Sequence, residues 1–147
     1  MEKAICFKTQ YGWINATEKG GFITAISFGK IKNKGTSKLL NLFQRQMKEY
    51  IKGKKISWKF KYKISGSITQ KKIWSELKKI PYGKTRSYGY IAKKFNTSPR
   101  YVGKVCGQNK HLIVVPCHRV IRNDGTLGGF SSIGGLILKQ QLLELEK

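Results

Sequence analysis

The stretch 87–107 carries a dense series of helix start and stop signals. A serine at its first position can cap a short helix that runs through Phe95, and residues 96–97 then form a tight turn. Ser98 is placed as the N-cap of a second helix, with Pro99 at the first helical position and a glycine at 107 where the helix should end. Two helices joined by so short a turn predict a helix-turn-helix.

The first 28 residues have the composition of β-strands. Segments 4–7, 13–16 and 22–28 are rich in β-branched and aromatic residues, and Tyr11-Gly12 and Gly20-Gly21 separate them as turns. We therefore expect a meander of three antiparallel strands.

A helix and an edge strand should follow this meander. Ser37 can cap the helix and Gly53 can end it. Apolar side chains recur every four residues between these two positions, at Leu39, Phe43, Met47 and Ile51. Residues 56–64 then alternate apolar and basic side chains, which predicts an edge strand protected by its lysines.

Further helices are predicted in the second half of the chain. Thr69 is a candidate N-cap, and Ile68 before it can pack against Ile73 as a hydrophobic staple. Pro81 ends that helix. Leucines repeat on one face of a final helix over residues 136–146.

These elements predict an α+β fold in two parts. The polar sequence at 65–67 marks the boundary between them. We expect an N-terminal α+β structural domain over residues 1–65, with a three-stranded antiparallel sheet and a helix. Residues 66–147 should form a mainly helical domain that contains the helix-turn-helix.

The charge of the chain points to a polyanionic partner. Its 30 Lys and Arg against 7 Asp and Glu give a net charge of +23. Solubility alone rarely requires more than about 8 charges in a small domain. Nucleic acid is favoured over an acidic membrane because no basic amphipathic terminal helix is present. No apolar run approaches the ~20 residues of a membrane span and no signal peptide is recognisable, so we expect a cytoplasmic protein.

Three cysteines, Cys6, Cys106 and Cys117, do not suggest a disulfide framework or a metal site. We expect no bound metal and no cofactor. Cys117 follows an apolar run at 112–115 and precedes a histidine and an arginine, neighbours that lower the pKa of a thiol. This adjacency alone is weak evidence for a nucleophile, and a buried structural cysteine is the competing interpretation.

Three motifs around Cys117 resemble the O6-alkylguanine-DNA alkyltransferase family. They are Ile80–Tyr88, Gly107–Asn109 and Val115–Ile121, and the resemblance covers roughly residues 68–147. It implies DNA repair by irreversible transfer of an alkyl group from O6-alkylguanine, and from O4-alkylthymine, to Cys117. It also implies that residues 1–65 form a ribonuclease H-like portion. The zinc ligands that some relatives carry there are absent.

The resemblance assigns a role to each matched residue. Cys117 aligns with the nucleophile, and His118 with the base that takes its proton through a water. Glu146 aligns with the carboxylate that supports this histidine, Asn109 with the amide that braces the turn before the nucleophile, and Tyr88 with the phenol that donates to the guanine ring. Without the resemblance, Tyr88 would be an amphipathic residue at a helix start, Asn109 a turn residue and Glu146 a solvated terminal charge.

The resemblance also implies how DNA is held. Double-stranded DNA would receive the recognition helix 99–106 in its minor groove, and Arg100 would occupy the space left by a flipped nucleotide. The further DNA-contacting residues implied are Ser98, Gly103, Gly107, Lys104, Lys110 and Arg119. Arg119 could instead form a buried structural pair, and Arg100 could be a solvated residue of the first helical turn.

The alkyl pocket should combine Tyr88 and Val120 with Phe130 and Ser131 of a substrate loop at 125–132. Phe130 stands where some family members carry tyrosine. We expect a monomer in which each molecule reacts once. Two alternatives remain: a non-catalytic lesion sensor or DNA-binding regulator, and a cysteine hydrolase built on Cys117 and His118.

Overall fold

The computed structural model describes residues 1–130 and 132–147. The chain divides into two compact units, Met1–Ile64 and Ser65–Lys147. In the part of the chain that is described, no helix is both long enough and apolar enough to cross a membrane.

The first unit contains the predicted meander of strands β1 (Lys3–Thr9), β2 (Gly12–Lys19) and β3 (Phe22–Phe28). The strands are antiparallel in the order β1-β2-β3. The prediction of three antiparallel strands is confirmed. The first turn is displaced by one residue, since Gly12 opens β2 with a φ of 116°, a value that favours glycine.

Helix α1 (Lys38–Ile51) covers one face of the sheet. Ser37 caps it as predicted, with its hydroxyl accepting from the Leu40 N–H at 3.1 Å. The Phe43 ring is fully buried and lies 6.2 Å from the ring of Phe7 and 5.4 Å from that of Phe60. The core of this unit therefore lies between α1 and the sheet.

The predicted edge strand over residues 56–64 is wrong. Within the described residues, only Tyr62 forms a bridge, parallel to Ile23 of β3. The segment before it is held by a side chain, because the Gln46 amide donates to the Ser57 carbonyl at 3.0 Å and accepts from the Lys59 N–H at 2.9 Å. The Gln46 side chain supplies hydrogen bonds that a neighbouring strand would otherwise make. The backbone polar groups of this segment are therefore paired without β-sheet hydrogen bonds.

The second unit contains four helices and a two-stranded parallel pair in its described residues. The helices are α2 (Ile68–Leu77), α3 (Tyr88–Lys94), α4 (Pro99–Gly107) and α5 (Gly135–Leu145). The strands are β4 (Arg86–Ser87) and β5 (Val120–Ile121), with a 3₁₀ turn at Cys117–Arg119 between α4 and β5. The predicted α+β fold class is confirmed.

Helix α2 begins two residues earlier than predicted. Ser67 is its N-cap and forms a capping box with Gln70, in which each side chain accepts from the other residue's backbone N–H. Two otherwise unpaired donors are satisfied at once, an arrangement that Thr69 cannot provide. The predicted staple is also wrong, since Ile68 is 76% exposed.

Helices α3 and α4 form the predicted helix-turn-helix. Ser87 caps α3 and Ser98 caps α4, with Pro99 at the first helical position. In the connecting turn Asn96 has a φ of 52°, a left-handed conformation that asparagine tolerates. Trp74 of α2 donates to the Val105 carbonyl of α4 at 3.0 Å and anchors the second helix.

Candidate active site

A buried turn, and not an extended strand, leads to Cys117. Asn109 organises it: its Nδ2 donates to the Val115 carbonyl at 2.8 Å and to the Cys117 Sγ at 3.3 Å, and its Oδ1 accepts from the His111 N–H at 2.8 Å. Ile113 adopts a φ of 73°, which is unusual for a β-branched residue. The chain therefore doubles back between Asn109 and Cys117, and the thiol is fixed by a residue two positions after the end of the recognition helix.

The Cys117 thiol is buried, with 3% of the residue exposed. Burial raises its pKa, and the opposing effects of the Asn109 N–H and of the Lys139 charge are smaller. Neighbouring groups thus lower the thiol pKa, as expected in general, but burial outweighs them and the net shift is upward. At neutral pH the sulfur carries a proton, so its ionisation requires a base.

His118 and Glu146 form a buried pair. The His118 Nε2 lies 2.7 Å from the Glu146 Oε2, and neither side chain is exposed by more than 1%. Burial lowers the pKa of His118, while the hydrogen bond and charge of Glu146 raise it and only partly compensate. The imidazole is therefore neutral at neutral pH.

Arg119 determines which nitrogen of His118 carries the proton. Its guanidinium donates to the two Glu146 oxygens at 2.8 and 3.0 Å and to the Ile80 carbonyl at 2.8 Å. A carboxylate held this way is ionised and only accepts, so the His118 Nε2 is the N–H and Nδ1 is the basic nitrogen. Nδ1 makes no hydrogen bond to any described residue.

The phosphate-contact role predicted for Arg119 does not fit these contacts. Three of its N–H groups are used inside the protein, and its side chain is only 12% exposed. The structure shows the competing interpretation, a buried structural pair.

A cavity of about 420 Å³ opens onto Cys117. Its described lining comes from three elements: Tyr88 of α3, Gly103, Cys106 and Gly107 of α4, and Gly129 and Phe130 of the following loop. Gly128 supports this wall with a φ of 73°, and a Cβ there would lie 2.9 Å from the Tyr88 ring. The loop thus needs glycine to approach the phenol.

Val120, which was predicted for the pocket, is not in the described lining. Val120 has no exposed surface and pairs with Arg86 in the parallel ladder, away from the described walls of the cavity. It follows Cys117 by three residues, but the 3₁₀ turn directs it into the core. Ser131 lies outside the described residues.

Lys139 is a site residue that sequence reasoning missed. It is fully buried on α5, and its Nζ donates to the Tyr88 hydroxyl at 3.1 Å, the Leu127 carbonyl at 2.5 Å and the Gly129 carbonyl at 3.2 Å. Burial lowers the pKa of Lys139 to about 8. One signal was available: Lys139 is the only charged residue between Asp124 and Glu144.

Tyr88 is held as a donor by this lysine. Burial and the neighbouring thiols raise the pKa of Tyr88 to about 12, so it stays protonated. Because its oxygen accepts from Lys139, its own hydroxyl hydrogen is free to point elsewhere, and the phenol lines the cavity.

The outer face of α4 carries the remaining predicted residues. Arg100, Gly103, Lys104 and Gly107 follow helical spacing on one face, and both lysine and arginine are exposed. Lys110 is exposed beyond the helix, and the Ser98 hydroxyl accepts from the Tyr101 N–H as the N-cap. The two glycines of this face also line the cavity.

The fold and site thus define a helix-turn-helix protein with a buried thiol in a small cavity, next to a neutral, carboxylate-supported histidine. A family model described as 6-O-methylguanine DNA methyltransferase, DNA binding domain, matches residues 68–147. The chain is 44% identical over 104 residues to the methylated-DNA–protein-cysteine methyltransferase of Methanosarcina acetivorans, covering 69% of this chain and 65% of that protein. The match therefore spans slightly less than two thirds of that relative.

Other relatives are matched over a larger share of their length. The protein of the same name from Archaeoglobus fulgidus is 37% identical over 108 residues, which covers 71% of this chain and 73% of that protein. The crystal structure of the Mycobacterium tuberculosis O6-methylguanine methyltransferase has a TM-score of 0.87 at 30% identity, covering 100% of this chain and 93% of that one. The structure of the mycobacterial protein in complex with DNA gives 0.85 at 31% identity, over 98% and 92%. The chain belongs to the 6-O-methylguanine DNA methyltransferase family.

Proposed function

We propose that this protein repairs alkylated DNA by transferring the alkyl group of O6-alkylguanine to its own Cys117. The observation that carries the proposal is the Cys117 thiol in the wall of a cavity, fixed by Asn109 and followed in the chain by the buried His118–Glu146 pair. A thiol of raised pKa beside a neutral imidazole is a nucleophile that ionises when a substrate arrives.

DNA is the partner that the charge and the helix-turn-helix favour. The exposed Arg100 and Lys104 alternate along α4 with Gly103 and Gly107, which line the cavity, so phosphates held by α4 would bring a nucleotide to the thiol. The mycobacterial relative was solved in complex with DNA. Helix α4 would enter the minor groove, where glycines at 103 and 107 permit close approach.

The target nucleotide must leave the base stack to react, because the Cys117 sulfur lies inside a cavity. Arg100, at the exposed start of α4, would fill the space that the nucleotide leaves. A volume of about 420 Å³ lies within the range of small-ligand pockets, roughly 300–1,000 Å³. O4-alkylthymine, a smaller base with the same alkoxy group, would enter the same cavity.

The transfer balances without a cofactor. The Cys117 proton passes to the His118 Nδ1 through a water, since Nδ1 makes no hydrogen bond to the thiol, and the sulfur forms a bond to the alkyl carbon. The bond from that carbon to O6 breaks, and its electron pair goes to the guanine. The Tyr88 hydroxyl, backed by the Lys139 cation, donates to the ring that gains the charge. The guanine anion takes up one proton, which balances the proton that Cys117 gave to His118, so neutral guanine is restored and a thioether remains on Cys117.

No side chain of the described site is placed to cleave a thioether, so each molecule, acting as a monomer, reacts once. The test is to mix the full chain with a duplex containing O6-methylguanine and to map the modified peptide by mass spectrometry. We expect one methyl group per molecule on Cys117 and none on Cys106. Cys106→Ser is the matched control, since it removes the other cavity thiol and should leave the transfer intact.

Three results would overturn the proposal. Methylation of Cys106 instead would show that Cys117 is not the sulfur that reacts. Repair of more lesions than protein molecules would exclude a single-turnover reaction. Tight binding of the lesion with the base never restored would identify a lesion sensor.

A further inference from the structure

The first unit is as basic as the unit that carries the helix-turn-helix. Residues 1–64 contain 15 Lys and Arg against 3 Asp and Glu, a net charge of +12 in 64 residues. All three acids already have partners: Glu2 with Lys34, Glu18 with Ser37, and Glu49 with two lysines. A charge above about 8 exceeds what solubility of a small domain requires.

Part of this charge is concentrated in one short segment. Lys59, Lys61 and Lys63 are all exposed, and within the described residues none of them has an acidic partner. We call these three residues the basic edge. They alternate with the aromatic residues at 58, 60 and 62.

The aromatic contacts fix the direction of the basic edge. The Phe60 ring lies 5.7 Å from the ring of Trp58 and 6.2 Å from that of Tyr62, and it also packs on Phe43 of α1. Tyr62 pairs with Ile23 at the edge of the sheet. Since the aromatic side chains face α1, the lysines between them project away from that helix.

The sheet carries further cations on the face turned away from α1. Phe7 contacts Phe43, so the next residue of β1, the exposed Lys8, points to the opposite face. Trp13 is the cross-strand partner of Lys8, and the Lys30 Nζ lies 5.0 Å from its ring centre. This face therefore presents cations in addition to those of the basic edge.

We infer that the basic edge is a second DNA contact, which binds backbone phosphates outside the helix-turn-helix. Lys61 and Lys63 flank the bridged Tyr62, where alternate residues of an extended chain lie about 6.7 Å apart, twice the ~3.4 Å of helix axis per phosphate along one DNA strand. Lys59 lies beyond a bend at Phe60, and the flexible stems of the three lysines allow each of them to reach a different phosphate. The inference rests on the DNA-binding part of the proposed function and not on alkyl transfer.

The competing explanation is edge protection. Lysines on an exposed strand edge prevent pairing with another chain, and residues 61–63 form the last bridged segment of the described sheet. Protection of that kind would leave DNA affinity unchanged when the lysines are removed. The two explanations therefore predict different measurements.

The experiment compares two triple variants of the full chain by their binding to an undamaged duplex of about 20–30 base pairs, a length typical of protein sites on DNA. One is Lys59→Gln/Lys61→Gln/Lys63→Gln. The matched control, Lys38→Gln/Arg45→Gln/Lys48→Gln, removes the same charge from exposed positions of α1. The dissociation constant is measured as a function of salt concentration.

We expect the basic-edge variant to reduce the slope of log K against log salt by about 2 to 3, close to 0.9 for each phosphate that is no longer neutralised. The α1 variant should change this slope by less than about 1. Equal changes in both variants, or no change in either, would overturn the inference, and new self-association without a change in slope would support edge protection instead. Methyl transfer to Cys117 is assayed separately, so failure of the proposed reaction is distinguishable from failure of the second DNA contact.

Discussion

The two units carry almost the same net charge and use it differently. Residues 1–64 have a net charge of +12 and residues 65–147 a net charge of +11. In the first unit the ion pairs lie at the surface, as in the pair of Glu49 with Lys54. In the second unit His118, Lys139 and Glu146 are all buried.

The exposed charges of the first unit can attract a partner over a distance, whereas the buried charges of the second unit act on the groups next to them. Exposed lysines act through a field that extends over about a Debye length and weakens with salt. Buried groups are desolvated, so their pKa values shift and each of their interactions has a larger consequence. The contrast predicts large, salt-insensitive effects in the second unit and small or salt-sensitive effects in the first.

The largest effect should come from Glu146→Gln. The variant removes the carboxylate that pairs with His118 and Arg119, and it leaves an arginine that is only 12% exposed without its counter-charge. We expect transfer to slow by about 100-fold or more and the free energy of unfolding to fall by about 3 kcal/mol. Single-turnover kinetics and denaturant titration measure these two quantities.

Glu144→Gln is the control for that variant, since Glu144 lies on the same helix but is exposed and pairs with Lys147. Its kinetics should match the wild type. If Glu146→Gln weakened DNA binding as much as it slowed transfer, the carboxylate would have a structural role only.

The next effect concerns the Tyr88–Lys139 hydrogen bond. Tyr88→Phe should slow transfer by about 100-fold, because the donor to the leaving guanine is removed. Lys139→Met should slow it by about 10-fold, since the lysine acts through the phenol. The double variant should be little slower than Tyr88→Phe alone, and fully multiplicative effects would show that the two residues act independently.

A pH series tests whether burial lowers the pKa of Lys139. Its folded pKa of about 8 lies below the ordinary 10.5, so above pH 8 the folded protein releases a proton that the unfolded chain retains. The wild type should therefore gain about 2 kcal/mol of stability over Lys139→Met between pH 8 and 10.5. A difference that stays constant with pH would mean that the lysine titrates normally.

The smallest effect should come from the first unit. Glu49→Gln removes the partner of Lys52 and Lys54, both exposed. We expect a melting temperature almost unchanged from that of the wild type, since solvent-exposed pairs contribute little. A marked destabilisation by this variant would remove the contrast between the two units.

The elements that the sequence predicted correctly are those that local sequence signals encode. The meander, α1 with its Ser37 cap and the helix-turn-helix all follow from short patterns of caps, glycines and apolar spacing. The motif around Cys117 identified the neighbours of the thiol because they lie within a few residues of one another or match a known pattern.

Interactions between distant residues were beyond those patterns. Lys139 reaches Tyr88 across 51 positions of the sequence, and Arg119 reaches Ile80 across 39. Gln46 satisfies the backbone near Lys59, which replaced an expected strand. In each case a side chain from elsewhere in the fold decided the outcome, and no local pattern of residues encodes it.

The cavity has two sulfurs in its walls, Cys106 and Cys117, and burial raises the pKa of both thiols. Burial therefore acts in the same direction on both thiols and does not by itself decide which one reacts with a small electrophile in the cavity. Only Cys117 receives an amide hydrogen bond and has an imidazole next to it in the chain. Selectivity between the two sulfurs is therefore kinetic: the thiol that reacts is the one with a base available to accept its proton.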